Sequence, residues 1–213
     1  MGIIINEIFY SIQGESIYSG FPCIFIRFTG CNLRCSYCDT KYAYYEGKEE
    51  EIDNILKKIK IYPCNLIEIT GGEPLLQNEV TFLINSLIKN CYQVLIETNG
   101  SLSIKNLPKE GLVKILDLKC PGSGMSHKMD FGNIELLTKD DQIKFAIKDK
   151  RDFLWAVDVI KRFNLEKMGQ ILFSPVFGVI EPKDLAEWIK NSGLKARLQL
   201  QLQKVIWGEK KGV

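Results

Sequence analysis

Histidine is nearly absent from this chain, with a single copy in 213 residues, and charge of one sign is not in excess: 28 lysines and arginines face 26 acidic residues, a net charge of +2. A near-neutral balance gives no electrostatic footprint for nucleic acid or for an anionic membrane, so a small-molecule substrate is expected. Long apolar runs are missing too. None approaches the roughly 20 residues needed to span a bilayer. Glu7 interrupts the apolar start where a signal peptide would continue, and Asn6 stands where N-myristoylation wants Ser or Thr. These readings predict a cytoplasmic protein. There is no low-complexity tract, internal repeat or Pro/Gly/Ser linker, which predicts one domain over residues 1–213. The lone His127 sits in a Gly-Ser-Gly-Met-Ser-His stretch that reads as surface loop.

What is present is the composition of a globular protein, 46% hydrophobic and 25% charged. Its seven cysteines are an odd number, and Cys31, Cys35 and Cys38 crowd into eight residues, which suits a reduced compartment and metal ligation better than disulfides. Short β-rich apolar runs occur at Cys23–Phe28, Leu66–Thr70, Val94–Thr98, Val113–Leu118, Gln142–Ile147 and Gln170–Phe173. Helical faces follow most of them: Ile52, Ile55, Leu56 and Ile59; Leu83, Ile84, Leu87 and Ile88; Phe153, Ala156, Val157 and Ile160. Pro182 fits a first helical turn, and Gly193 fits the stop after Leu185, Ala186 and Ile189. The link after Thr98 has only a weak helical pattern. Such β/α succession predicts a parallel sheet covered by helices, either an incomplete barrel or an open doubly wound sheet. In both, ligands bind at the carboxyl ends of the strands, where the unusual residues of this chain collect.

Thiolates suit zinc and iron–sulfur clusters alike, so Cys31-x3-Cys35-x2-Cys38 by itself indicates a soft metal. Three ligands with no fourth cysteine or histidine nearby leave one metal position open, unlike a closed structural zinc site. Cys64, Cys91 and Cys120 are expected to be small buried residues.

The cysteine spacing, with Tyr37 before the last cysteine, resembles the signature of the radical S-adenosylmethionine superfamily. Phe9 to Glu15, Pro22 to Arg27, the close of the cysteine loop on Asp39-Thr40, Thr70-Gly71-Gly72-Glu73-Pro74, Glu97-Thr98-Asn99-Gly100 and Arg197 to Lys204 resemble, over nearly the whole chain, the 7-carboxy-7-deazaguanine synthases. The resemblance implies an incomplete six-unit (β/α) barrel and a [4Fe–4S] cluster on Cys31, Cys35 and Cys38, whose open iron chelates S-adenosylmethionine. It implies cofactor contacts from Tyr37, Cys38, Asp39, Gly72, Glu73, Glu97, Asn99, Asp117, Leu118, Lys119, Ser174, Pro175, Val176 and Phe177. For the substrate, 6-carboxy-5,6,7,8-tetrahydropterin, it implies Ile12, Gln13, Gly14, Arg27, Thr70 and Gln203. Arg27 offers a bidentate fork for the carboxylate, and Gln13 offers a donor and an acceptor to the pterin edge. Thr40 would bind Mg²⁺ through its hydroxyl.

The implied chemistry is radical hydrogen abstraction at C6 followed by ring contraction and loss of ammonia, with no side chain as catalyst. A flavodoxin- or ferredoxin-type electron donor and a homodimer come with it. Gln203 stands where the family usually has histidine; it can hydrogen-bond but cannot titrate near neutrality. Two alternatives share the cysteines: an activating enzyme that makes a glycyl radical on a partner protein, and a noncatalytic zinc or iron–sulfur module.

Overall fold

The computed structural model describes residues 2–213; Met1 lies outside the described residues. In chain order the elements are β1 (Gly2–Ile12), β2 (Pro22–Phe28), β3 (Lys48–Glu51), α1 (Ile52–Ile59), β4 (Leu66–Gly71), α2 (Val80–Lys89), β5 (Gln93–Thr98), β6 (Leu112–Asp117), β7 (Gln142–Ile147), α3 (Lys150–Phe163), β8 (Gln170–Pro175), α4 (Pro182–Ser192), β9 (Arg197–Leu198) and α5 (Leu202–Trp207). All strands join one sheet in the order β3-β1-β2-β4-β5-β6-β7-β8-β9. From β2 through β4 to β9 neighbours are parallel; β1 pairs antiparallel with both β2 and β3.

Side chains alternate across a strand, so each strand serves two cores. The outer one takes Ile24, Ile26, Ile67, Ile69, Val94, Ile96, Phe145 and Phe173 together with the apolar stripes of α1 to α4. The inner one, Cys23, Phe25, Leu66, Leu95 and Ile115, contains no helical residue. Helices therefore cover one face only and the other face curls on itself, which selects the incomplete barrel over the doubly wound sheet. Toward the carboxyl ends the inward positions turn polar: Arg27 and Thr70, which are paired in register, then Glu97, Asp117 and Lys144.

Two links depart from the β/α pattern. Residues 99–111 between β5 and β6 form no helix, and the β6–β7 link consists of three short 3-10 turns, at Pro121–Ser123, Ser126–Lys128 and Phe131–Leu136. The latter include exposed His127. Neither stretch has an apolar stripe long enough to cover two strands. The helix ends follow local chemistry: Asp149 caps α3 by accepting from Arg151 N and Asp152 N, and α4 runs from Pro182 to a left-handed Gly193.

Candidate active site

The carboxyl ends of the strands open into a cavity of about 540 Å³. Cys31, Cys35 and Cys38 line one wall, on the loop after β2. All seven cysteines are free; Cys23 and Cys120 are buried, Cys64 is half-buried, and Cys91 is exposed, contrary to the expectation for it. Cys91 ends the turn after α2 with φ 63°, where its side chain points away from the core. None of these four lines the cavity. Among the described residues no three Cys, His, Asp or Glu side chains are gathered tightly enough to grip a single ion; the three thiols instead flank one opening. Burial pushes the Cys31 and Cys35 thiols up, so their ionisation falls to a bound metal. Leu33 N donates to Cys31 Sγ at 3.4 Å, and Asn99 Nδ2 reaches the same sulfur at 3.8 Å.

The loop is held from below by the glycine turn after β4. Glu73 N donates to Gly30 O at 2.7 Å and Gly72 N to Phe28 O at 3.2 Å. A Cβ on Gly72 would collide with Gly30 O and Cys31 Cβ, and Gly71 has φ +146° with Phe28 backbone where its Cβ would be. Hence these glycines serve first the contact between turn and cysteine loop. Glu73 differs from expectation. It is fully buried and does not line the cavity; its oxygens accept from Thr98 Oγ1 at 2.8 Å, Asn99 N at 2.7 Å and Leu75 N at 3.1 Å. Desolvation raises its carboxyl to about 6 despite those donors. It ties the turn to the end of β5. Leu118 likewise belongs to the outer core, because after Asp117 the next side chain points to the helical face. Every other residue expected in the site lines the cavity.

Asp117, Lys119, Lys144, Glu97 and Glu15 form a charged network that also lines the cavity. Lys144 Nζ lies 2.6 Å from Glu15 Oε2, is bonded to Glu97 Oε1 and lies 3.6 Å from Asp117 Oδ2, while Lys119 Nζ lies 2.7 Å from Asp117 Oδ2. Desolvation would lower the Lys144 ammonium, but Glu15, Glu97 and Asp117 raise it well above its ordinary value. Asp117 Oδ1 and Gln203 Oε1 are buried on the cavity wall with no hydrogen-bond partner. Orphaned buried acceptors of this kind fit a ligand rich in amino and hydroxyl groups, as S-adenosylmethionine is.

Beside them the substrate-side residues meet. Arg27 Nε donates to Glu7 Oε1 at 2.7 Å, and Tyr42 Oη donates to the same oxygen at 2.9 Å. The two terminal nitrogens of Arg27 make no hydrogen bond among the described residues. Gln13 is only 2% exposed and both ends of its amide are taken, Nε2 donating to Glu68 Oε2 and Oε1 accepting from Glu15 N at 2.9 Å. Gly14 gives room to Gln203, whose amide occupies the space a Cβ would need, and Gly14 O accepts from Leu202 N at 2.9 Å. Thr40 Oγ1 donates to Asp39 Oδ1 at 2.8 Å, and Lys204 Nζ lies 2.7 Å from Asp39 Oδ2. Desolvation opposes ionisation of Asp39, but Lys204 outweighs it and holds the carboxyl below its usual range.

Composition and motif gave no sign of Glu68 or Lys144, while Glu15 and Lys204 ended the recognised stretches Phe9 to Glu15 and Arg197 to Lys204 without a role assigned to them. The available signal was one charged residue at an inward position of an apolar strand, as in Leu66-Ile67-Glu68-Ile69 and Gln142-Ile143-Lys144-Phe145. The alternating Gln199, Gln201 and Gln203 turn inward: Gln199 Nε2 and Gln201 Nε2 donate to Glu15 at 3.1 and 2.9 Å, while Leu198 and Leu200 are exposed.

A one-sided barrel with three cysteines at its open end defines a radical S-adenosylmethionine protein, and the family model of the radical SAM superfamily matches residues 25–190. Membership implies a [4Fe–4S] cluster and S-adenosylmethionine as cofactors. The 7-carboxy-7-deazaguanine synthase of Koribacter versatilis is 42% identical, with 98% of this chain and 99% of the relative covered. That of Clostridium acetobutylicum is 41% identical, with 97% of each covered, and that of Chlorobaculum tepidum 39%, with 95% and 93%. The fold also matches the crystal structure of QueE from Escherichia coli, with a TM-score of 0.77, 22% identity and 95% of each chain covered. The chain belongs to the 7-carboxy-7-deazaguanine synthase family, the radical enzymes of 7-deazapurine biosynthesis.

Proposed function

We propose that this chain converts 6-carboxy-5,6,7,8-tetrahydropterin to 7-carboxy-7-deazaguanine with release of ammonia, as a carbon–nitrogen lyase. The observation that carries the reading is the shared cavity: the three cysteine thiols and the free end of Arg27 open on the same 540 Å³ space. When bound, the cluster and S-adenosylmethionine supply the radical that takes a hydrogen from substrate C6. The chain's residues do the positioning. Glu7 and Tyr42 fix the Arg27 guanidinium, so that its terminal nitrogens meet the substrate carboxylate as a preset fork. Phe9 and Phe25, stacked at 4.9 Å on the cavity wall, offer a flat apolar surface to the heterocycle. Cys31, Cys35 and Cys38 hold the cluster, and Asp117, Glu97 and Lys119 face the polar groups of S-adenosylmethionine. Thr40 Oγ1 beside Asp39 presents the hard oxygens that Mg²⁺ accepts.

A homodimer, a flavodoxin- or ferredoxin-type donor and a cytoplasmic site of action are parts of the same reading. Exposed Leu198, Leu200, Val205 and Ile206 give a second copy apolar surface to cover. No helix among the described residues is long and apolar enough to cross a membrane. The test is anaerobic incubation of the cluster-loaded protein with the carboxylated tetrahydropterin, S-adenosylmethionine, Mg²⁺ and a reductant. The deazaguanine and ammonia should appear in equal amounts; an intact cluster that forms neither would refute the activity.

A further inference from the structure

We propose that Glu68 is the residue that reads the amino-bearing edge of the bound heterocycle, with Gln13 as its positioning residue. This rests on the pterin reading above and names its specificity determinant. Glu68 is a carboxylate in an otherwise apolar strand, 5% exposed, one inward layer below Thr70, with Phe25 and Leu95 as its register neighbours. One of its oxygens accepts from Gln13 Nε2; the other has no hydrogen bond among the described residues, and the residue lines the cavity. The second oxygen opens on the cavity, where a ligand's N–H donor can reach it. Gln13, the residue whose side chain type suggests pterin recognition, is occupied at both ends of its amide. Its role passes to the carboxylate it holds.

The chemistry is complementary. A 2-aminopyrimidinone ring presents two adjacent N–H donors, the exocyclic amine and the ring N–H; pairing with them favours the ionised form of Glu68, whose carboxylate then presents two parallel acceptors. Arg27 lies two residues above Phe25, the register partner of Glu68, a rise of about 7 Å along the strand. A carboxylate gripped at one end and an amino edge at the other thus span the cavity along its inner wall, with Phe9 and Phe25 at the side.

The experiment measures equilibrium binding of 6-carboxypterin and of 6-carboxylumazine, in which oxygen replaces the 2-amino group, to the cluster-loaded enzyme with S-adenosylmethionine present. The parent protein should prefer the amino compound by about tenfold or more, since the oxo compound leaves a buried acceptor unpaired. Glu68→Gln, isosteric but carrying a donor, should reduce that preference to about twofold or less, with cluster content and S-adenosylmethionine affinity unchanged. Glu68→Asp, which keeps the carboxylate but withdraws it by one methylene, should weaken binding of the amino compound yet retain the preference. Full discrimination in Glu68→Gln would overturn the assignment while leaving the pterin reading intact. Binding of neither compound by the parent protein would instead overturn the pterin reading itself.

Discussion

Arg27 shows how one side chain divides its work. Its Nε is committed to Glu7 while its terminal nitrogens stay free, so Arg27→Lys, which has no second donor face, should raise the substrate KM about tenfold or more. Steady-state kinetics alongside iron content checks this: cluster loading should not change. Gly72 makes the opposite point, being set by what it lacks. Gly72→Ala would push a methyl into Gly30 O and Cys31 Cβ, so iron per chain after reconstitution should fall well below that of the parent. Glu68 gives the residue scale its pH signature. Desolvation first, then Glu97 and Glu15, push its carboxyl from 4.5 up to about 8, against Gln13 and Lys144, which favour the charged form. Between those pH values the folded chain keeps a proton that the unfolded chain has released, so the stability contributed by this group is full below about 4.5 and declines as pH rises toward 8. Glu68→Gln does not titrate; its melting temperature should gain on the parent's between about pH 5.5 and pH 8.5, a gap of order 1–3 kcal/mol in stability. An unchanging gap would show that Glu68 stays charged.

At the scale of elements, the link between the β4 turn and the end of β5 depends on a buried side chain that does not line the cavity. Glu73 accepts from Leu75, Thr98 and Asn99, and through Asn99 it sets the amide that approaches Cys31. Glu73→Ala strands two buried donors and one half-buried one, and denaturant melts should show a loss of about 3 kcal/mol or more. The apo protein should show that loss as well, because no cofactor is needed for the contacts. The same scale explains what pattern reading could and could not give. The six parallel strands and four helices announce themselves by apolar period, and Pro182 and Gly193 mark the bounds of α4. β1 does not, since its alternation breaks at a register shift between Ile5 and Glu7. β3, Lys48–Glu51, is charged throughout because it is an edge, and β9 is two residues long.

The whole molecule is organised around a charge balance that no single segment contains. Glu15, Glu68, Glu97 and Asp117 come from four places in the chain and share the cations Lys144 and Lys119. Lys144→Met leaves buried carboxylates without their shared cation and should cost about 3–5 kcal/mol in chemical unfolding, most of it recovered at acidic pH, where carboxylates can protonate. What the sequence alone determined is what depends on neighbours along the chain: strand and helix periods, caps, the three-thiol spacing and the side of the sheet on which chemistry would sit. The tertiary structure decided what depends on which strands lie side by side. It closed the inner face without helices, engaged Glu73 as a brace between turn and strand, occupied Gln13, and set Glu68 against the cavity. Those outcomes follow from desolvation and pairing between residues as many as 186 positions apart, as Glu15 and Gln201 are, and a buried charge takes its meaning from partners that only folding brings near.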